Sequence, residues 1–141
     1  MMLTFRSFLL VCMMGICAPC IAYAATAEEV IRNDNEDIRL AIVKTIGASN
    51  QSVKIAIKAN IFKVLRVNSN MIKSNHAGIN NEATAIASVV SKNIAEKPEY
   101  NNIIAIRIEY VKQSGTTNKN KIMDSVNFRK NQDGTFKLHI T

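Results

Sequence analysis

The amino-acid sequence predicts an α+β fold: an antiparallel four-stranded sheet with two helices on one face, in the order α-β-α-β-β-β, after a cleaved signal peptide. Three observations lead to this prediction. The chain opens with an apolar segment that ends in small residues, two segments repeat apolar residues at helical spacing, and four segments alternate apolar with polar residues. Residues 25–141 are long enough for a single domain with a modest core.

The first 24 residues have the features of a secretory signal peptide. Arg6 precedes a short apolar segment, and the small residues Ala22 and Ala24 predict cleavage before Ala25. The apolar segment is shorter than the roughly 20 residues of a transmembrane helix, so no stable membrane span is expected after cleavage. The protein is therefore expected to be exported, either to a periplasm or out of the cell.

All three cysteines lie in this leader, at Cys12, Cys17 and Cys20. The last two have the spacing of a redox dithiol, but a working dithiol needs a surrounding fold that lowers the thiol pKa. An apolar leader provides no such fold. Cleavage leaves 117 of the 141 residues and no cysteine, so the mature protein is expected to be held together by its core alone.

Helical spacing of apolar residues predicts a first helix over residues 27–46. Asn33 or Asp34 can cap its second part, so a break near residues 33–35 is an alternative to one continuous helix. Gly47 directly follows the last apolar position and is expected to end the helix, because glycine readily adopts the left-handed conformation of a helix terminus.

A second helix is predicted after a polar loop over residues 68–81, with Asn80 or Asn81 as its cap and Pro98 beyond its end. A glycine ahead of a helix N-terminus can present backbone N–H groups to an anion. The end of the loop is therefore the candidate ligand-binding stretch, and its residues are Asn75, His76, Gly78 and Asn80.

Alternation with a period of two predicts the strands. The first is one long strand over residues 53–67, either straight or bent near Phe62, where apolar residues occupy both parities. Asp133-Gly134 predicts a hairpin turn before the last strand. The three later strands are predicted over residues 104–111, 122–128 and 136–140.

The mature sequence contains no motif for catalysis, for a metal ion or for a nucleotide cofactor. Its two histidines do not have ligand spacing, since His76 lies in the polar loop and His139 on the outward side of the last strand. Adjacent acidic residues near the chain start point apart on a helix and do not form a catalytic pair. No catalytic residue, metal or cofactor is therefore predicted, and the protein is not expected to be an enzyme.

Strand alternation places the whole net charge of the mature chain on the sheet face opposite the helices. Loss of Arg6 lowers the formal net charge from +7 to +6, and this face is expected to carry seven basic residues against Glu109. Such a face either keeps the wet side of a sheet soluble or contacts an anionic partner. The basic residues are Lys54, Lys58, Arg66, Arg107, Lys121, Arg129 and Lys137.

These observations favour an exported, non-enzymatic binding or accessory protein that contacts an acidic partner through its basic sheet face. The face offers only Phe62 for stacking on bases, so an acidic protein surface or an anionic envelope polymer is favoured over nucleic acid. One alternative is a small-ligand cradle or minor hydrolase with a pocket between the sheet and the second helix. Another is an envelope structural protein. The sequence does not predict an oligomeric state.

Overall fold

A computed structural model describes residues 27–115 and 119–140, with side chains from residue 34 onward. The predicted signal peptide, its cleavage site at Ala22, Ala24 and Ala25, and the three cysteines lie outside the described residues. The described chain has an α+β fold with two α-helices and one five-stranded sheet. The elements are α1 (Ala27–Ile46), β1 (Val53–Lys58), β2 (Ile61–Val67), α2 (His76–Ile94), β3 (Ala105–Gln113), β4 (Asn120–Lys130) and β5 (Phe136–His139).

The first helix is confirmed over all of its described residues, and its predicted end is confirmed as well. It runs without a break through residues 33–35, and Gly47 follows it with φ of 63°. Ile38 and Ile42, one turn apart, are fully buried, which is the pattern expected of a helix with one apolar side against a core. A short 3₁₀ helix, Asn50–Ser52, then leads into β1.

The second helix begins earlier than the sequence predicts. Asn75 is its cap, because the side-chain Oδ1 accepts a hydrogen bond from the backbone N–H of Gly78 at 2.9 Å. His76, Gly78 and Asn80 therefore lie in the helix and not in a loop. The prediction placed the start at Asn80 or Asn81 because the preceding turn is polar and glycine-containing, and a local side-chain cap overrides that composition.

The predicted strand over residues 53–67 is two antiparallel strands, and this correction changes the sheet. Ala59 and Asn60 have φ of 49° and 63°, which is the conformation of a two-residue hairpin turn. The strand order is β1-β2-β3-β4-β5, with β2 and β3 parallel and the other neighbours antiparallel. The sheet is therefore mixed and five-stranded, where an antiparallel four-stranded sheet was predicted.

Both helices pack on the same face of the sheet. Residues that pair across antiparallel or parallel neighbours share a face, so one row of partners runs through all five strands on the helix side. Its central members are fully or almost fully buried in one cluster with Ile38, Ile42 and Ile86 of the helices. The row consists of Ile57, Phe62, Ile106, Phe128 and Leu138.

The hairpin predicted before the last strand is confirmed. Gly134 has φ of 82°, and its N–H donates to the carbonyl oxygen of Asn131 at 3.1 Å. The Asp133 carboxylate accepts from both the backbone N–H and the hydroxyl of Thr135, which lowers the pKa of Asp133 below its usual value. These contacts hold β5 against β4 at the edge of the sheet.

Candidate functional site: the open face of the sheet

The face opposite the helices, called the open face below, can be read row by row from the strand pairing. The first row starts at the last residue of β1 and ends in β5, and it contains three cations. All three cations are exposed. The members of the row, in spatial order, are Lys58, Ile61, Ala105, Arg129 and Lys137.

The second row lies two residues further along each strand, a displacement of about 6.7 Å. It contains two cations on neighbouring strands, followed by an amide and an imidazole. Its members are Ala56, Lys63, Arg107, Asn127 and His139. The two rows together place one cation on every strand. We call these five residues the basic band, and they are Lys58, Lys63, Arg107, Arg129 and Lys137.

The third row ends the basic character of the open face. It joins Lys54, Leu65, Glu109 and Ser125, so one cation is balanced by one acid. Glu109 is only 5% exposed, and its Oε1 lies 2.9 Å from Nζ of Lys63 in the adjoining row. The positive charge is therefore concentrated in a band that crosses the strands, whereas the sequence predicted only which face is basic.

Partners within the protein leave much of the band's charge available. Arg107 donates from Nε to Oδ1 of Asn127 at 2.7 Å, which fixes the direction of its guanidinium group. Lys63 is engaged by Glu109. Within the described part of the chain, no ion pair involves Lys58, Arg129 or Lys137. These three exposed cations are the members best placed to meet an external anion.

Arg66 does not lie on the open face, which corrects the sequence prediction. Across the two-residue turn, odd-numbered residues of β1 pair with even-numbered residues of β2. The helices are therefore faced by the odd-numbered residues of β1 and by the even-numbered residues of β2. The side chain of Arg66 is buried, and its Nε lies 2.8 Å from Oε1 of Glu82 on α2. Its place on the open face is taken by Lys63, which sequence reasoning missed.

The rest of the Arg66 guanidinium is also paired. Nη1 donates to the carbonyl oxygen and hydroxyl of Ser52 at 3.2 and 3.0 Å, and Nη2 donates to the Ser69 hydroxyl at 3.2 Å. Tyr110 lies beside this cluster and donates to the carbonyl oxygen of Ile79. Burial, followed by the charge of Glu82, raises the pKa of Tyr110. The cluster therefore joins β2 to α2.

Lys121 is also displaced from the open face. The β3–β4 ladder shifts register between Tyr110 and Val111, and Met123 is the extra residue on β4. Beyond the shift Lys121 pairs with Lys112, which lies on the helix side of the sheet. Lys112 lines a depression of about 580 Å³ beside the short 3₁₀ helix Asn70–Lys73. A bulge is not visible in the alternation of apolar residues, so this change of side could not be predicted.

The predicted ligand stretch at the start of α2 has a capping role. The Gly78 N–H that was expected to meet an anion is occupied by Asn75, and the Asn80 carbonyl oxygen accepts from Thr84. The His76 side chain is 92% exposed, with Nδ1 3.6 Å from Oδ2 of Asp124. In the described part of the chain, His76 is not among the residues that line the surface depressions of about 320–580 Å³.

A cleft does lie between α2 and the β4–β5 hairpin. It consists of two adjoining depressions of about 350 and 340 Å³ that share Ser91, Ala95, Thr135 and Phe136. Lys130 lies over the ring of Phe136, 6.0 Å from its centroid. A third depression, of about 320 Å³, is lined by Arg66 and Glu82 and is therefore part of their ion-pair cluster.

The described residues contain neither a metal site nor a membrane-spanning helix. Among the described side chains, those of residues 34–115 and 119–140, no group of three or more acidic, histidine or cysteine residues is placed to hold a metal ion. No helix in that part of the chain is long and apolar enough to cross a membrane. The five aromatic residues of the described chain, Phe62 included, lie on the helix side or in the core, so none is presented by the open face.

No model of a known protein family matches the chain, and no curated protein is significantly similar to it in sequence. The function must therefore be argued from the basic band and the cleft themselves.

Proposed function

We propose that the protein is an exported, non-enzymatic binding protein whose basic band contacts an anionic partner. The observation that carries the proposal is the strand pairing, which brings one cation from each of five strands into two adjacent rows. Like charges directly opposite each other destabilise a sheet. Arg129 faces Lys137 across the antiparallel pair of β4 and β5, so the arrangement has a cost that an anionic partner would relieve.

The test compares two charge reversals on the same strand and the same face. Lys58→Glu lies within the basic band, whereas Lys54→Glu lies outside it, next to Leu65. Tagged wild-type and variant proteins are used to capture partners from their own host at low and moderate salt. We expect Lys58→Glu to lose a partner that wild type and Lys54→Glu retain. Equal capture by all three proteins would reduce the band to a device for solubility.

Export is part of the same proposal. The described part of α1, Ala27–Ile46, follows the predicted cleavage position and would remain in the mature protein. We expect the protein recovered from the envelope or medium of its host to begin at Ala25, as determined by N-terminal sequencing. Ala24→Arg should block this processing, because signal peptidases need a small residue at that place. Full-length wild-type protein recovered only from the cytoplasm would contradict export.

The cleft between α2 and the β4–β5 hairpin supports a second candidate function, the binding of a small ligand. Its two depressions have the size of small-molecule sites, and Phe136 offers an apolar surface flanked by hydroxyl groups. Ala95 directly follows α2 and lines both depressions, so Ala95→Trp would fill the cleft. If the cleft is the functional site, this substitution removes a ligand-induced rise in Tm that Lys58→Glu leaves unchanged.

A further inference from the structure

We propose that the partner of the basic band is an acidic polysaccharide that lies across the strands of the sheet; this inference rests on the proposed function above. The direction follows from the strand pairing. The first row begins with Lys58 on one edge strand and ends with Lys137 on the other. Five strands about 4.8 Å apart span about 19 Å, so one extended chain reaches every cation of the row.

The shape of the band favours a linear polymer over a protein surface. Its two rows are about 6.7 Å apart and about 19 Å long, and the third row already contains a buried acid, Glu109. A stable protein interface covers about 800 Å² on each partner, with an apolar centre. The band is narrower than that and has no large exposed apolar side chain at its centre, where Ala105 and Arg107 lie.

The side chains between the cations favour a sugar polymer over nucleic acid. Proteins that bind single strands stack bases on aromatic rings, and the described open face presents no aromatic residue. It presents hydrogen-bonding groups instead, at Ser125, Asn127 and His139. The Oδ1 of Asn127 accepts from Arg107, which leaves the amide Nδ2 to donate outward. Carboxylates on a sugar chain would meet the cations, and its hydroxyl groups would meet these polar side chains.

The probe for the test is a ladder of oligogalacturonides, from the disaccharide to the dodecasaccharide, with the methyl-esterified polymer as an uncharged control. We expect the affinity of the full chain to rise with oligomer length until the oligomer spans the sheet, and then to level off. Lys58→Ala and Lys137→Ala, at opposite ends of the row, should each weaken binding of long oligomers by about two- to fivefold. Each should leave binding of the disaccharide within twofold of wild type.

Lys54→Ala distinguishes a polymer that lies across the strands from one that lies along β1. A polymer lying along β1 would contact Lys54 and Lys58 together and would not reach Lys137, whereas a polymer across the strands contacts Lys58 and Lys137. Sensitivity to Lys54 without sensitivity to Lys137 would overturn the proposed direction. Thermal unfolding of each variant confirms that its fold is intact, which is expected because all three side chains are exposed.

The outcomes distinguish this inference from the proposed function. If single-stranded DNA or polyglutamate binds through the band and the oligogalacturonides do not, the sugar assignment is wrong and the anion-binding function stands. If no polyanion binds in a manner that depends on Lys58, Arg129 and Lys137, both fail. Binding of the esterified polymer as tightly as the acid would also overturn the inference, because it would show that charge is not recognised.

Discussion

Arg66 is held inside the protein by a complete set of partners. Its guanidinium meets Glu82, Ser52 and Ser69, and only 6% of the residue is exposed. Replacing it by methionine would leave the Glu82 carboxylate, whose side chain is only 13% exposed, without a cation. We therefore expect Arg66→Met to lower the free energy of unfolding by about 3–5 kcal/mol, measured by urea denaturation.

The matched control is removal of both charges. Arg66→Met combined with Glu82→Leu leaves no unpaired ion, so it should recover most of the stability lost by the single change. Lys54→Ala, an exposed change on the neighbouring strand, should stay within about 0.5 kcal/mol of wild type. If Arg66→Met cost no more than Lys54→Ala, the ion pair would contribute nothing to the fold.

Tyr100 is a second buried polar group, and it makes stability depend on alkaline pH. Burial, followed by the charges of Asp34 and Glu99, raises the pKa of Tyr100 from 10.0 to about 12. Between these values the unfolded chain has lost the hydroxyl proton and the folded chain retains it. The unfolded state therefore binds fewer protons, and the free energy of unfolding falls as pH rises from about 10 to about 12.

Tyr100→Phe removes this linkage. It also removes the hydrogen bond that the hydroxyl donates to Oδ1 of Asn35 at 3.0 Å, which shifts stability at all pH values. We expect the variant to lose stability less steeply than wild type above about pH 10, in urea titrations at a series of pH values. Some alkaline dependence should remain, because the pKa of Tyr110 is raised as well. Equal slopes in both proteins would contradict the assignment.

At the scale of the elements, the turn between β1 and β2 decides the architecture. Ala59 adopts φ of 49°, a conformation in which its Cβ is strained and which glycine adopts freely. We expect Ala59→Gly to raise the free energy of unfolding by about 0.5–1 kcal/mol. Ala56→Gly, within the extended strand β1, should lower the free energy of unfolding by a similar amount. If Ala59→Gly also lowered the free energy of unfolding, the proposed strain at residue 59 would be absent.

This turn also explains which part of the fold could be predicted. Both helices and the later strands could be predicted, because each is buried on one side and its apolar residues therefore recur with the period of the element. The turn at Ala59-Asn60 lacks the glycine that normally marks a hairpin, and apolar residues continue on both sides of it. One long strand was therefore predicted, and the five-stranded order and the parallel pairing of β2 with β3 could not be derived.

At the scale of the whole molecule, the concentration of positive charge on the open face could be predicted, but its shape could not. Lys54, Lys58, Arg107, Arg129 and Lys137 lie on that face as expected. Arg66 does not, because the turn at Ala59-Asn60 reverses which residues of β2 face the helices. Lys121 does not, because the bulge at Met123 does the same in β4. The band emerges only when the strands are placed side by side, since its members are far apart in the sequence.

The same placement predicts that the band lowers the stability of the isolated protein. Arg129 and Lys137 are direct partners on neighbouring strands, and opposed like charges are unfavourable. We expect Lys137→Glu to raise the free energy of unfolding by about 0.5 kcal/mol at low salt, because it converts repulsion into attraction. The gain should shrink at high salt, which screens exposed charges. Lys54→Glu, opposite Leu65, is the matched control and should produce no gain.

If Lys137→Glu stabilises the fold while weakening capture of the anionic partner, the band is retained for binding at the expense of stability. If Lys137→Glu lowers the free energy of unfolding or leaves it unchanged at low salt, the repulsion between Arg129 and Lys137 is already relieved within the protein. This argument for an external anion would then fail.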